Sequence, residues 1–191
     1  MPSISLAQWS RSRAAALDEI AKAHSAVGGT QRGRRYATQQ INQAYAVLLA
    51  SQFQGFCRDL HSECVDYLVT TLAPPPPLRA LVRAEFTRGR QLDTRNAQPS
   101  SIAADFGRLG LDFWVEVESY DAGSRKSILE VLNRWRNAIA HQDFDPSELG
   151  GRTTLHLGQV RQWRSVCERL ARTFDEVMRL HLKALTGASP W

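Results

Sequence analysis

Apolar positions recur every three or four residues along almost the whole chain, and alternating runs rich in Val, Ile and Thr are almost absent. That periodicity predicts helices and no sheet. A first helix is expected over Ser5 to Ser25, ending before the Gly-rich basic segment Val27 to Arg35. A long helix follows from about Thr38 to Leu72, roughly 50 Å at the usual helical rise. Its stripe Phe53, Cys57, Leu60, Cys64 and Leu68 has coiled-coil-like spacing, which predicts packing along its length. Pro74 to Pro77 stop it, because proline lacks a donor and clashes with the preceding turn. A shorter helix is predicted over Leu78 to Gly89. Arg90 to Ser101 reads as loop, with Asp93, Asn96 and Pro99 as breakers. Ser100 or Ser101 would cap a short helix through Leu109, and Leu111 to Tyr120 fits either helix or irregular chain.

The next helix carries the most information. Ser127-Ile128-Leu129-Glu130 fits a capping box, with Ser124 as an alternative cap. Ile128, Leu132, Trp135 and Ile139 form its apolar stripe. Glu130, Arg134, Asn137 and His141 form a second stripe two positions away, about 200° round the helix and so opposite the core. Asp145 before Pro146 puts the end near Gln142 to Phe144. After a connection over Glu148 to Gly158, a last helix is predicted over Gln159 to Leu185. It keeps strict three/four spacing at Val160, Trp163, Cys167, Leu170, Phe174, Val177, His181 and Ala184. The sum is an all-α bundle of four to five helices. Residues 1–36 form an N-terminal helix and basic loop, and residues 37–191 the main helical domain, within one globular unit.

At 191 residues the chain can bury a core without staples. Its 43% hydrophobic and 23% charged residues exclude a disordered chain. The longest apolar run, Ala44 to Ala50, is too short to span a bilayer, so no membrane is expected. Met1 to Ser10 lacks a basic segment followed by an apolar core, so no secretory signal is expected. Three cysteines without a CxxC pair argue against a disulfide framework or zinc ribbon and for a reducing cytoplasm. The net charge is +5, and arginine supplies nearly all the cations beside three lysines. Arginine's planar fork suits phosphate, although a GC-rich genome gives the same excess without functional meaning.

One local sequence stands out: Arg134-Trp135-Arg136-Asn137-Ala138-Ile139-Ala140-His141-Gln142-Asp143. Asn137 and His141 are four apart and share a face. Arg136 is five before His141, within reach of a long side chain. His141 sits in the last turn, where the helix dipole favours its protonated form. A histidine can act as general base or acid, and an arginine can stabilise charge developing on a phosphate. These are the parts needed to cleave a phosphodiester without metal. The bland alternative is a solvated face ending in a histidine that caps the last carbonyls.

Arg136-Asn137-Ala138-Ile139-Ala140-His141 resembles the Arg-x4-6-His motif of the HEPN superfamily. The long preceding helix with Phe53 to His61 is similar to that superfamily's arrangement. The stretch Gln91 to Asn96 and Asp105 to Leu111 is similar to its RiboL-PSP-HEPN branch. The resemblance covers most of Thr38 to Leu185. It implies a metal-independent endoribonuclease of toxin–antitoxin or phage-defence systems, without cofactor, acting on RNA as a homodimer with a composite active site. His141 would exchange the 2′-hydroxyl or leaving-group proton, Arg136 would hold the scissile phosphate, and Asn137 would orient them. The products would be a 2′,3′-cyclic phosphate and a 5′-hydroxyl. An antitoxin or defence partner protein is implied as well. One HEPN toxin class carries a modifiable tyrosine two residues after the histidine; here that position is Asp143. The alternative that the resemblance admits is a non-catalytic HEPN module that binds RNA, a nucleotide or a protein.

Arg134 joins the candidate RNA-binding residues. Arg32, Arg34 and Arg35 beside Tyr36 could grip an RNA backbone and stack a base, against the alternative of a solvated loop. Asp59 and Glu63 on the long helix could project toward the motif and tune His141, with Asp143 beside it, or simply be solvated. Cys57, His61 and Cys64 have a spacing that could present three metal ligands. Leu60 and Leu68 share that side, so a packed core and no metal are expected. His181 falls on an apolar stripe and reads as a core or interface histidine. Gly28-Gly29 and Gly150-Gly151 fit no phosphate-loop pattern.

Overall fold

The computed structural model describes residues 1–27, 35–123 and 125–191, with residues 35–37 described by backbone only. The expectations for Arg32 and Arg34, for the side chains of Arg35 and Tyr36, and for a cap at Ser124 lie outside what is described. Among the described residues the chain is all-helical. The elements are α1 (Ile4–Gln8), a π-helical turn (Trp9–Arg13), α2 (Ala14–Val27), α3 (Arg35–Leu72), α4 (Pro76–Thr87), α5 (Gln91–Thr94), α6 (Pro99–Gly107), α7 (Phe113–Tyr120), α8 (Arg125–His141) and α9 (Leu157–Thr186). The helical segments outnumber the four to five expected, because stretches read as loop or undecided form short helices.

The long α3 is the axis of the bundle, and α1, α2, α8 and α9 pack along it. Its predicted stripe is buried throughout: Phe53, Cys57, Leu60 and Cys64 are wholly enclosed and Leu68 nearly so. Phe174 of α9 sits at the centre of an aromatic cluster with Phe53, Phe106, Phe113 and Trp114. On α9 the predicted stripe is buried from Val160 to Val177, but Ala184 is exposed and Met178 and Leu182 take the inner positions.

Two expected helix starts move. Pro99 occupies the first turn of α6, where its missing N–H is no loss, so neither Ser100 nor Ser101 caps it. α8 begins at Arg125, which puts Ser127 inside the helix instead of at its cap. The expected loop over 90–98 contains α5, whose first-turn amides are held by a distant residue. The buried Asp105 carboxylate accepts from Gln91 N and Leu92 N, both at 2.8 Å.

The N-terminal segment is fastened to the bundle by carboxylates. Ser3 caps α1, accepting from Leu6 N at 3.0 Å, while Ser3 N donates to Asp175. Glu63 accepts from Ile4 N, Ser5 N and Ser5 Oγ, at the helix end where the dipole favours negative charge. Trp9 and Leu17 join the common core.

Arg13 lies across α3 at Gly55, donating to Gln52 (2.8 Å) and Asp59 (2.5 Å). A Cβ on Gly55 would stand 2.5 Å from the Arg13 guanidinium. An alanine in a helix interior normally stabilises by about 1 kcal/mol over glycine. Gly55→Ala is therefore expected to give no gain, or a loss, in the native chain, and that gain of about 1 kcal/mol in an Arg13→Ala background. Urea unfolding of the four proteins checks this; a gain in both backgrounds would mean the guanidinium moves aside without loss.

Candidate functional site

The polar stripe of α8 builds the site. Arg134 and His141 are exposed, and Glu130, Arg136 and Asn137 half-buried. The opposite face holds Leu132 and Trp135, both wholly enclosed, with Leu129, Asn133 and Ala138. Ile128 and Ile139, expected in the core stripe, are only partly buried. The reason is Asn133, an amide inside the interface: its Nδ2 donates to Ala97 O and Leu129 O, both at 2.9 Å. Beneath the site Trp135 packs against Trp163 and Phe144.

The helix stops at the histidine. Gln142 is left-handed (φ 55°), Asp143 N donates to Ala138 O at 3.0 Å, and Gln142 N to Ile139 O at 3.4 Å. These two bonds form a Schellman cap, which glycine usually supplies. The left-handed conformation costs a residue with a Cβ about 1–2 kcal/mol. Gln142→Gly is expected to raise stability by about 1 kcal/mol and the melting temperature by about 2–4 °C. A thermal melt by circular dichroism reads this directly, and a lowered midpoint would contradict it.

The cap turns the following chain back over the helix end. The result is a groove of about 280 Å³ lined by Arg134, Asn137 and His141 on one wall and by Asp143, Asp145 and Glu148 on the other. Ala138 and Leu149 complete its lining. The side chains of Arg134 and His141 make no hydrogen bond or ion pair with described residues. Asp145 accepts from Ser147 N and Ser147 Oγ, which hold its carboxyl below the usual range.

Arg136 is not part of this lining. It reaches the set through Asn137, whose Oδ1 accepts from Arg136 Nη1 at 3.3 Å and from Asn96 Nδ2 at 2.6 Å. Asn137 thus fixes the arginine next to it in sequence while sharing the groove with His141. In the sequence Asn96 read as a loop breaker and as the end of the stretch resembling the RiboL-PSP-HEPN branch, not as a site residue; its partner lies 41 residues away, so no local spacing announces it. Asp143 stood beside the motif in the sequence, whereas Asp145 and Glu148 had no reason to be assigned to the groove until the chain reversal was known.

Asp59 and Glu63 do not join the site. Asp59 pairs with Arg13, and Glu63 holds the start of α1. Neither serves His141, because the N-terminal segment takes both carboxylates. His61 and the three cysteines belong to the core. His61 is wholly enclosed, with Nε2 3.1 Å from Asp105 O and its ring edge-on to Phe106. Cys57 and Cys64 are buried thiols, and burial pushes both up. No group of three metal-ligating side chains occurs among the described residues. His181 is half-buried, 2.8 Å from Leu109 O. Among the described residues no helix is long and apolar enough to cross a membrane.

Comparison with known proteins adds no relative: no family model, no curated protein and no solved structure matches the chain.

Proposed function

We propose that the protein is a metal-independent endoribonuclease of HEPN type, acting as a homodimer and serving as a toxin or phage-defence effector held in check by a partner protein. The observation that carries this reading is the placement of His141. It is exposed at the end of α8, its ring unbonded among the described residues, in one groove with Arg134, Asn137 and Asp143.

The chemistry follows from the residues. His141 takes the proton of the 2′-hydroxyl as O2′ bonds to phosphorus, and the bond from phosphorus to O5′ breaks. A second histidine, from the other copy of the chain, gives its proton to O5′. Arg136, held by Asn137, faces the charge that grows on the phosphate. Asp143 supports the imidazolium that forms. The products are a 2′,3′-cyclic phosphate and a 5′-hydroxyl.

A second reading, a non-catalytic HEPN module, is favoured by the opposite wall of the same groove. Asp143, Asp145 and Glu148 repel a phosphate and suit a basic segment of a protein partner.

Labelled single-stranded RNA incubated with the protein in EDTA, followed by end-group analysis, separates the two. Cyclic phosphate ends, with a dimer by light scattering, support the nuclease. RNA left intact by folded, dimeric protein overturns it. In that event binding that Arg136→Ala abolishes and salt weakens steeply would point to the module.

A further inference from the structure

Arg134 is shared by two grooves. On its far side from His141 lies a second one, about 450 Å³, between α6, α7 and α8. Its floor is apolar: Pro99, Ala103 and Trp114. The Trp114 indole donates its N–H to Pro99 O at 2.8 Å, so the ring is fixed, and only a small part of its surface is open to the groove. The wall is α8, which presents Lys126, Glu130 and Arg134 at four-residue spacing and hence on one face. Lys126 Nζ lies 5.6 Å from the centre of the Trp114 ring.

The charges on this wall could pair with one another and do not. Glu130 stands four before Arg134, the favourable order for a helical ion pair, yet no ion pair or hydrogen bond engages its carboxylate among the described residues. An apolar floor, an unengaged carboxylate and a cation on each side of it match one ligand. That ligand is a planar base whose edge carries donors, with phosphates flanking it.

Among the four bases guanine fits the carboxylate best. Its N1–H and N2–H₂ are adjacent donors, and a carboxylate accepts both in a bidentate pair. Uracil offers one donor between two carbonyl oxygens. Adenine and cytosine offer an amino group beside a ring nitrogen that the carboxylate repels. Glu130 is eleven residues before His141, about 17 Å along the helix, so the base would sit at a fixed offset from the cut.

We propose that this second groove is a guanine subsite of the RNA site, with Glu130 reading the base edge and Lys126 and Arg134 holding the flanking phosphates. The assignment rests on the reading of the His141 groove as the place where an RNA strand is cut, and its test separates the two.

The ¹⁵N-labelled protein is titrated with GMP, AMP, CMP and UMP, following backbone amides of 126–134 and the Trp114 indole. GMP is expected to bind about tenfold or more tightly than the others, the discrimination typical of one good bidentate pair. Glu130→Gln, an unengaged side chain whose replacement leaves the fold intact, is expected to abolish that preference. Sequencing of cleavage products is expected to show guanine at one fixed offset in the native protein and no base preference in Glu130→Gln. Equal affinity for all four nucleotides, or shifts confined to other parts of the protein, would overturn the subsite. Cleavage without guanine preference removes the subsite and keeps the nuclease; GMP preference without cleavage upholds the subsite and removes the nuclease.

Discussion

Replacing His141 by alanine is expected to slow RNA cleavage by roughly 10²- to 10⁴-fold, the range spanned by general acid–base groups. The loss is chemical and not structural. The ring is exposed and makes no hydrogen bond or ion pair with described residues, so its removal opens no cavity. In a composite site each cleft loses both its histidines at once, so mixed dimers of native and variant chains should retain only the activity of clefts with one intact partner. Asn137→Ala and Asn96→Ala should fall between variant and native rates, because they release Arg136 without deleting it. Initial rates on one labelled RNA, with circular dichroism as the check on folding, decide the matter. A His141→Ala protein that cuts at the native rate leaves the catalytic assignment untenable.

The order of these effects mirrors what the sequence could and could not disclose. The α8 stripe Glu130, Arg134, Asn137, His141 was readable because helical period alone puts those positions on one face, and all four line one or other of the two grooves, with Arg134 lining both. The bounds of α3 were readable to within a few residues because a proline run ends it. What stayed hidden depends on contacts between residues far apart in the chain. α5 exists because Asp105, thirteen and fourteen residues on, holds its first amides. The core face of α8 is rotated because Asn133, a polar residue by any hydropathy scale, is buried against Ala97. Asp59 and Glu63 have the right spacing to serve a site on α8, but spacing does not say which neighbour a carboxylate meets. They meet Arg13 and the start of α1. Gln142 carries the helix stop that glycine would have advertised.

The second large effect concerns His61 and acid. Between pH 7.5 and pH 5 this one residue is expected to remove about 2 kcal/mol of stability. Burial lowers its pKa to about 4, against 6.5 for a free imidazole, and the nearby Arg90 guanidinium adds to the lowering. The backbone carbonyl and carboxylate of Asp105 pull the other way but do not win. Above pH 6.5 the ring is neutral in both states and contributes no slope. As pH falls through 6.5 the unfolded chain takes up a proton that the folded one refuses until about 4, so stability is lost across that window. The buried Asp175 works in the opposite sense: its carboxyl is pushed up by burial, so its protonation on acidification returns stability. His61→Gln keeps an amide donor for Asp105 O and cannot titrate, and the difference between its slope and the native slope cancels Asp175 and every other group. Urea unfolding at several pH values should show the native protein losing about 2 kcal/mol more than the variant over this range. Parallel slopes would place the imidazole in contact with water in the folded state, and the enclosed His61–Phe106 packing would have to be abandoned.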